Sequence, residues 1–259
     1  MKMTNKTYII TAPRERESIE EVKLLQWMLD NDIKKWIIAK EVGNDGYKHW
    51  QIRLRSRYTW QEMKNKFGEK AHIEEASDDW KYERKEGKFI SSEDNAAILR
   101  TRFGELRPNQ RRILTELGNS NDRSICCVVD RKGCTGKSFL ARFLFERGTA
   151  FYVPPTCTTA QSIIQFVASG YRNEQIIVVD IPRSTRWNNQ LYIAIECIKD
   201  GLVYDTRYHT TIRDIFGVNV LVLCNNKPNL SKLSKDRWHL LDADGMPYTD
   251  KPKAVKERL

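Results

Sequence analysis

Two short stretches of this sequence combine residue types and spacing that could do chemistry: "DDWKYERKEGK" at 78–88 and "GCTGKS" at 133–138. In the first, a tyrosine precedes a lysine by three residues, so on the helix expected there Tyr82 and Lys85 share a side. Taken alone the pair also fits an amphipathic tyrosine on a solvated charged helix. A tyrosine hydroxyl, with a free pKa of about 10, attacks phosphorus only with help, and the Lys85 ammonium could orient a phosphate or balance charge. A metal would supply the rest. In "KHWQIRLR" the strand alternation sends Trp50, Ile52 and Leu54 one way and His49, Gln51, Arg53 and Arg55 the other, onto a face expected to be wet. His49 and Gln51 lie one pleat apart, and Glu41 ends the preceding strand across a short hairpin. Together they form a set of hard oxygen and imidazole donors suited to Mg²⁺ or Mn²⁺.

The second stretch sits in "VVDRKGCTGKSFLARFLFE", an apolar strand, a tight loop and an amphipathic helix. In that context backbone N–H groups and a helix N-terminus converge on phosphate oxygens. Gly133, Cys134, Thr135 and Gly136 form the cradle, Lys137 pairs with the β/γ-phosphates, and Ser138 ligates Mg²⁺. Arg131 stands where the first glycine of G-x-x-x-x-G-K-S usually falls. The strand "IIVVD" then delivers Asp180 as the acid near the metal, and "VLVLCNN" ends in Asn225, placed to sense a γ-phosphate or orient water. ATP with Mg²⁺ is the expected ligand.

These residues need scaffolds, and the chain has room for them. At 259 residues it fits two ordinary domains. The first hundred residues read as a compact α+β domain with a mostly antiparallel sheet: strands at 7–11, 35–42 and 49–55, helices at 17–30 and 59–67, a short "HIEEA", then the Tyr82 helix. An Arg-rich segment follows, and from residue 124 apolar runs at 125–130, 176–180 and 220–226 alternate with helical patterns, the texture of an α/β domain. The expected division is 1–95, a linker or oligomerisation segment over 96–122, and 123–259. A formal charge of +10 favours polyanionic partners. The longest apolar runs are too short for a membrane span, and the N-terminus lacks the apolar core of a signal peptide, so a soluble, intracellular, non-secreted protein is expected. Six cysteines without C-x-x-C spacing suggest reduced thiols and no zinc.

The ordered set "GCTGKS", "IIVVD" and "VLVLCNN" resembles the superfamily 3 helicases of small DNA and RNA genomes. That resemblance implies that Lys137, Ser138, Asp180 and Asn225 bind nucleotide and Mg²⁺, that Arg207 and Tyr208 in "GLVYDTRYHTTIR" contact DNA, and that Arg237 in "LSKDRW" is a trans-acting arginine finger. Ile181 follows Asp180 where many relatives carry a second acid. Upstream, "YIIT", "HWQ" and "YERK" come in the order of HUH-type endonucleases, with Gln51 in place of the second histidine. HUH endonuclease followed by superfamily 3 ATPase resembles the replication initiators (Rep) of small circular single-stranded DNA viruses and kindred plasmids.

The resemblance implies an α+β HUH endonuclease followed by an α/β P-loop ATPase. Tyr82, assisted by Lys85 and by a metal held by Glu41, His49 and Gln51, would nick and rejoin an origin stem-loop presented as single-stranded DNA, through a 5′-phosphotyrosine. It further implies self-assembly into a ring, a hexamer, along with host DNA polymerase and replication factors as partners, and residence in the host nucleus. Two other readings share the sequence: a superfamily 3 helicase-ATPase acting on RNA or DNA with an idle nuclease set, and a DNA-binding replication regulator whose nuclease is inactive.

Overall fold

A computed structural model of the chain describes residues 5–15, 17–207 and 210–250. It divides into two compact units, Met1–Gly104 with Glu146–Gly148, and Glu105–Phe145 with Thr149–Leu259. Among the described residues no helix is long and apolar enough to cross a membrane.

The first unit runs β1 (Lys6–Pro13), α1 (Glu17–Asp30), β2 (Lys35–Val42), β3 (Lys48–Ser56), α2 (Trp60–Phe67), β4 (His72–Glu75), β5 (Phe89–Ser91) and α3 (Ala96–Arg102). Its sheet has the order β4-β1-β3-β2-β5, and every pairing is antiparallel. Alternation fixes the two faces. Tyr8, Ile10, Ile38, Trp50, Ile52 and Leu54 point into a core with Met28 of α1 and Met63 of α2. The α2 helix starts on a capping box in which Thr59 and Glu62 satisfy each other's backbone N–H groups.

The middle of the opposite face is not wet, as the alternation of "KHWQIRLR" alone suggested, although Arg55 at its far end is exposed. Gln51 and Arg53 are buried there. Segment 77–85 lies against Arg53, whose Nε donates to Glu83 Oε1 at 2.8 Å and whose Nη1 donates to Ser77 O at 2.6 Å. Trp80 packs on Ile37, Ala39 and Phe89. The expected Tyr82 helix is a single 3₁₀ turn, Tyr82–Arg84. Asp79 accepts the Lys81 N–H before it, Gly87 turns the chain at φ +66° after it, and Arg53 draws Glu83 inward, so no longer helix can run.

The second unit comprises α4 (Pro108–Gly118), β6 (Ile125–Val129), α5 (Lys137–Glu146), β7 (Ala150–Val153), α6 (Ala160–Gly170), β8 (Ile176–Ile181), α7 (Asn189–Asp200), β9 (Leu202–Asp205), β10 (Thr211–Asp214), β11 (Asn219–Cys224) and β12 (Trp238–Asp242). Its main sheet, β12-β6-β11-β8-β7, is parallel throughout. The apolar runs of β6, β8 and β11 are continuous because both faces are covered, by α6 and α7 on one side and α4 and α5 on the other. β9 and β10 form a separate antiparallel ribbon. Segment 96–122, expected as a linker, is divided: α3 belongs to the first unit, while Ile113 and Leu117 of α4 are buried in the second.

Candidate functional site

In the first unit Glu41 and His49 are direct cross-strand partners at the turn end of the β2–β3 hairpin, and Gln51 follows one pleat along the same face. His49 Nε2 lies 3.6 Å from Glu41 Oε2. The other ring nitrogen, Nδ1, is 3.2 Å from Tyr47 O, so a proton on Nδ1 leaves Nε2 a free donor for a cation. Gln51 Oε1 accepts the Thr11 hydroxyl at 2.8 Å and retains a second lone pair. Glu41 is 3% exposed, and its Oε1 is a buried acceptor with no hydrogen-bond partner. An orphaned carboxylate oxygen, an imidazole nitrogen and an amide oxygen on one face fit a hard divalent cation. Among the described residues no three His, Cys, Asp or Glu side chains gather at one point, and here the third donor is an amide.

The 3₁₀ turn brings Tyr82 and Lys85 to this same corner. Lys85 Nζ lies 2.8 Å from Glu41 Oε2 and 3.9 Å from the centre of the Tyr82 ring. Burial weighs against the Lys85 charge, but hydrogen bonds with Glu41 and Tyr82 outweigh it and hold the pKa above the ordinary lysine value. Lys85 is therefore a cation at neutral pH and not a base. Tyr82 is 51% exposed, open to a substrate.

In the second unit the strand register brings the carboxyl ends of three strands level: Val129 pairs with Cys224, and Leu223 with Asp180. Residues 130–136 bridge β6 to α5 with three left-handed positions, Gly133 (φ +85°), Cys134 (φ +61°) and Gly136 (φ +95°). At Gly136 the left-handed φ calls for glycine, and an added Cβ would also press on the end of the Gln110 side chain, 2.6 Å from Nε2. Helix α4 holds this loop: Gln110 Nε2 donates to Gly136 O at 2.8 Å and Asn109 Nδ2 to Thr135 O at 3.2 Å.

One residue at the centre was missed in the sequence. Asp130, 1% exposed, accepts the Gly133 N–H (2.8 Å), the Thr135 hydroxyl (2.6 Å) and the Lys137 ammonium (2.7 Å). Its own carbonyl accepts Asn225 Nδ2 at 2.7 Å. Its letter reads as a strand-end cap, and the available signal was an acid directly before a Gly-Lys loop. Asp180 accepts the Tyr152 hydroxyl at 3.1 Å. Burial pushes the Asp180 carboxyl up despite this bond, and burial together with Asp180 pushes the Tyr152 phenol up to about 12. Both residues line, with Ser138, Ala141, Arg142 and Phe145, a cleft of about 360 Å³.

Three further positions lie apart from this cluster. Arg131 faces solvent, 3.4 Å from Asp250. Arg207, at the tip of the β9–β10 ribbon, is ion-paired with Asp205 at 2.7 Å, while Tyr208 lies outside the described residues. Arg237 does not present a free guanidinium as a trans-acting finger requires: it is 7% exposed and pairs with Asp200 (2.6 Å) and Glu196 (3.4 Å) of α7.

No protein-family model matches the chain. It is 32% identical over 143 residues, 53% of this chain and 48% of the relative, to the Para-Rep C7 of Faba bean necrotic yellows C7 alphasatellite. It is 33% identical over 141 residues, 53% of this chain and 47% of the relative, to the Para-Rep C6 of Subterranean clover stunt C6 alphasatellite. The master replication protein of Banana bunchy top virus matches at 29% over 119 residues, 46% of this chain and 39% of its own. Glutamyl-tRNA reductase from Methanopyrus kandleri aligns over 85% of this chain and 71% of its own at 11% identity with a TM-score of 0.22, a level at which no common fold is implied. Mixed α/β content, with one antiparallel and one parallel sheet, is consistent with the α+β class of the Rep proteins. Over about half its residues the chain is similar to alphasatellite Para-Reps and to viral master replication proteins, and it spans about half the length of the curated relatives it matches.

Proposed function

We propose that this protein initiates rolling-circle replication, nicking and rejoining single-stranded origin DNA through a phosphotyrosine, and that its second unit is a Mg²⁺-dependent ATPase that drives unwinding. The observation that carries the reading is the corner where Lys85 bridges Glu41 and Tyr82 beside His49.

Glu41, His49 and Gln51 would hold the divalent cation, which when bound polarises the scissile phosphate. Tyr82 Oη, open to solvent, attacks the phosphorus as its proton passes to water, the P–O3′ bond breaks, and the 3′ oxygen takes up a proton from water. The products are a free 3′-OH, from which a host polymerase extends, and a 5′-phosphotyrosine. Attack by a 3′-OH on that linkage reverses the step and rejoins the strand. The charged Lys85 steadies the negative oxygens throughout.

In the second unit the 133–136 backbone, Lys137 and Ser138 receive the nucleotide phosphates and Mg²⁺, with Asp180 and Asn225 at the neighbouring strand ends. Arg207 and Tyr208 would face DNA within a ring of subunits acting in the host nucleus. Ion pairing of Arg237 within its own unit supports a different source for any trans-acting arginine.

The test is a denaturing gel of the 259-residue chain with Mn²⁺ and labelled stem-loop oligonucleotides, run beside Tyr82→Phe. A covalent adduct that forms with the wild type and is lost in the variant supports the reading. Robust ATP hydrolysis without any nick or adduct overturns it in favour of an ATPase with an idle nuclease.

A further inference from the structure

A phosphate loop normally holds its donors ready for an incoming anion, but in this protein the donors already have one. The Gly133 N–H, the Thr135 hydroxyl and the Lys137 ammonium all end on the carboxylate of Asp130, at 2.6–2.8 Å. With Lys137 at 13% and Asp130 at 1% side-chain exposure, the pair is held largely away from water.

Asp130 has little freedom to withdraw. Asn225 fixes its carbonyl to the end of β11, and α4 ties the loop backbone at Thr135 and Gly136 through Asn109 and Gln110. A phosphate that reaches Lys137 therefore arrives beside a fixed carboxylate. The two anions share one ammonium in a partly dry site, where like charges repel strongly. Two arginines flank the loop without bonding to the Asp130 carboxylate: Arg131 is exposed and paired with Asp250, and Arg183 Nη2 donates to the Lys132 carbonyl at 3.0 Å, beside Gly133. A divalent cation chelated by the nucleotide offsets the repulsion.

Resting on the proposal that this loop binds nucleotide, we infer that Asp130 is a built-in counter-anion that makes binding metal-obligate: the loop accepts the Mg²⁺-chelated nucleotide and rejects the free one. Asp130 is a specificity-determining residue in this account, and its contribution appears in binding before any turnover.

The experiment is an equilibrium titration of the 259-residue chain with a fluorescent ADP analogue, in excess Mg²⁺ and in EDTA, for wild type and Asp130→Asn. The amide loses the charge and keeps one oxygen, enough for the Gly133 N–H on the Oδ1 side, while its NH2 group replaces the Oδ2 that accepts Thr135 and Lys137, where the Thr135 hydroxyl can turn to accept instead. Wild type is expected to bind at least about tenfold more weakly in EDTA than in Mg²⁺, and Asp130→Asn to bind in EDTA at least about tenfold more tightly than wild type does. An EDTA-to-Mg²⁺ ratio unchanged by the substitution overturns the assignment, as does equal loss of affinity under both conditions. Where Asp130→Asn fails to fold, wild type alone decides: competition by free tripolyphosphate as strong as by its Mg²⁺ complex overturns the assignment, and a tenfold preference for the complex supports it. A wild type that binds no nucleotide even in Mg²⁺ overturns the nucleotide-binding reading as well, which separates the two failures.

Discussion

Lys85 Nζ lies 2.8 Å from Glu41 Oε2, so the ammonium and any divalent cation at this corner draw on the same carboxylate. Only Glu41 Oε1 is left without a partner. Lys85→Ala is therefore expected to tighten Mn²⁺ binding to the DNA-free protein several-fold, the worth of a partly exposed ion pair. On the proposed phosphotyrosine chemistry the same change is expected to slow adduct formation by about tenfold or more, since the charge that would stand beside the reacting phosphate is lost. Calorimetric Mn²⁺ titration and single-turnover cleavage read the two arms. Unchanged Mn²⁺ affinity would show that the lysine and the metal do not compete.

Arg53 and Glu83 form the buried tie that seats the Tyr82 turn on the sheet. Burial pushes the Glu83 carboxyl up even though Arg53 opposes it, so the pair contributes little net stability while intact. Breaking it is another matter. Glu83→Ala strands the Arg53 guanidinium and is expected to cost about 3 kcal/mol, whereas the double change Arg53→Met with Glu83→Leu stays much closer to wild type. Thermal unfolding of the three proteins checks this, and equal losses in the single and double variants would rule out the stranded charge as the cause.

Much of this architecture was legible because it follows from period and polarity. "KWIIAKEV" is β2 from Lys35 to Val42, and the apolar runs before "DRKG", through "IIVVD" and before "NNKP" are the three adjacent strands β6, β8 and β11. The cross-strand meeting of Glu41 with His49 followed from the hairpin. What stayed hidden depends on contacts distant in sequence. The burial of Arg53 comes with a segment some 30 residues away in the chain, as in the Arg53–Glu83 bond, and no local alternation reports it. β12 lies at the sheet edge with most of its side chains half-buried, which blurs its pattern. The pairing of Arg237 with Asp200 and Glu196 likewise depends on α7 reaching it in three dimensions.

Asp130 also predicts a pH response. Burial alone would raise its carboxyl, but Lys137, Thr135 and Gly133 hold it below the ordinary carboxylate value. A carboxylate depressed in the folded state stabilises that state above the unfolded pKa, about 3.9, and the contribution is lost as pH falls through the folded value. Wild-type unfolding is therefore expected to steepen below about pH 4, and Asp130→Asn to flatten that limb. Thermal melts from pH 3 to 6 compare the two, and parallel acid limbs would sink the linkage.

Tyr152 and Asp180 carry the last prediction. The Tyr152 phenol, at about 12, keeps its proton at neutral pH and is a standing donor to Asp180 Oδ2. Ile181 fills the next position, so on the proposed ATPase reading Asp180 acts without an adjacent acid, and the Tyr152 hydroxyl is a hydrogen bond that holds its carboxylate in the cleft lined by Ser138. Tyr152→Phe keeps the ring that packs against the α4–α5 side of the sheet and deletes the bond alone. Loss of such a bond is worth about 1–1.5 kcal/mol, so ATP turnover is expected to fall by roughly tenfold. Nucleotide affinity should stay within about twofold, because the phosphate cradle is untouched, and half-saturation by Mg²⁺ should move to higher concentration. Steady-state ATPase assays over a Mg²⁺ series read all three quantities together. A drop in affinity matching the drop in rate would mean that Tyr152 shapes the pocket rather than the acid, and full activity would mean that Asp180 needs no such anchor.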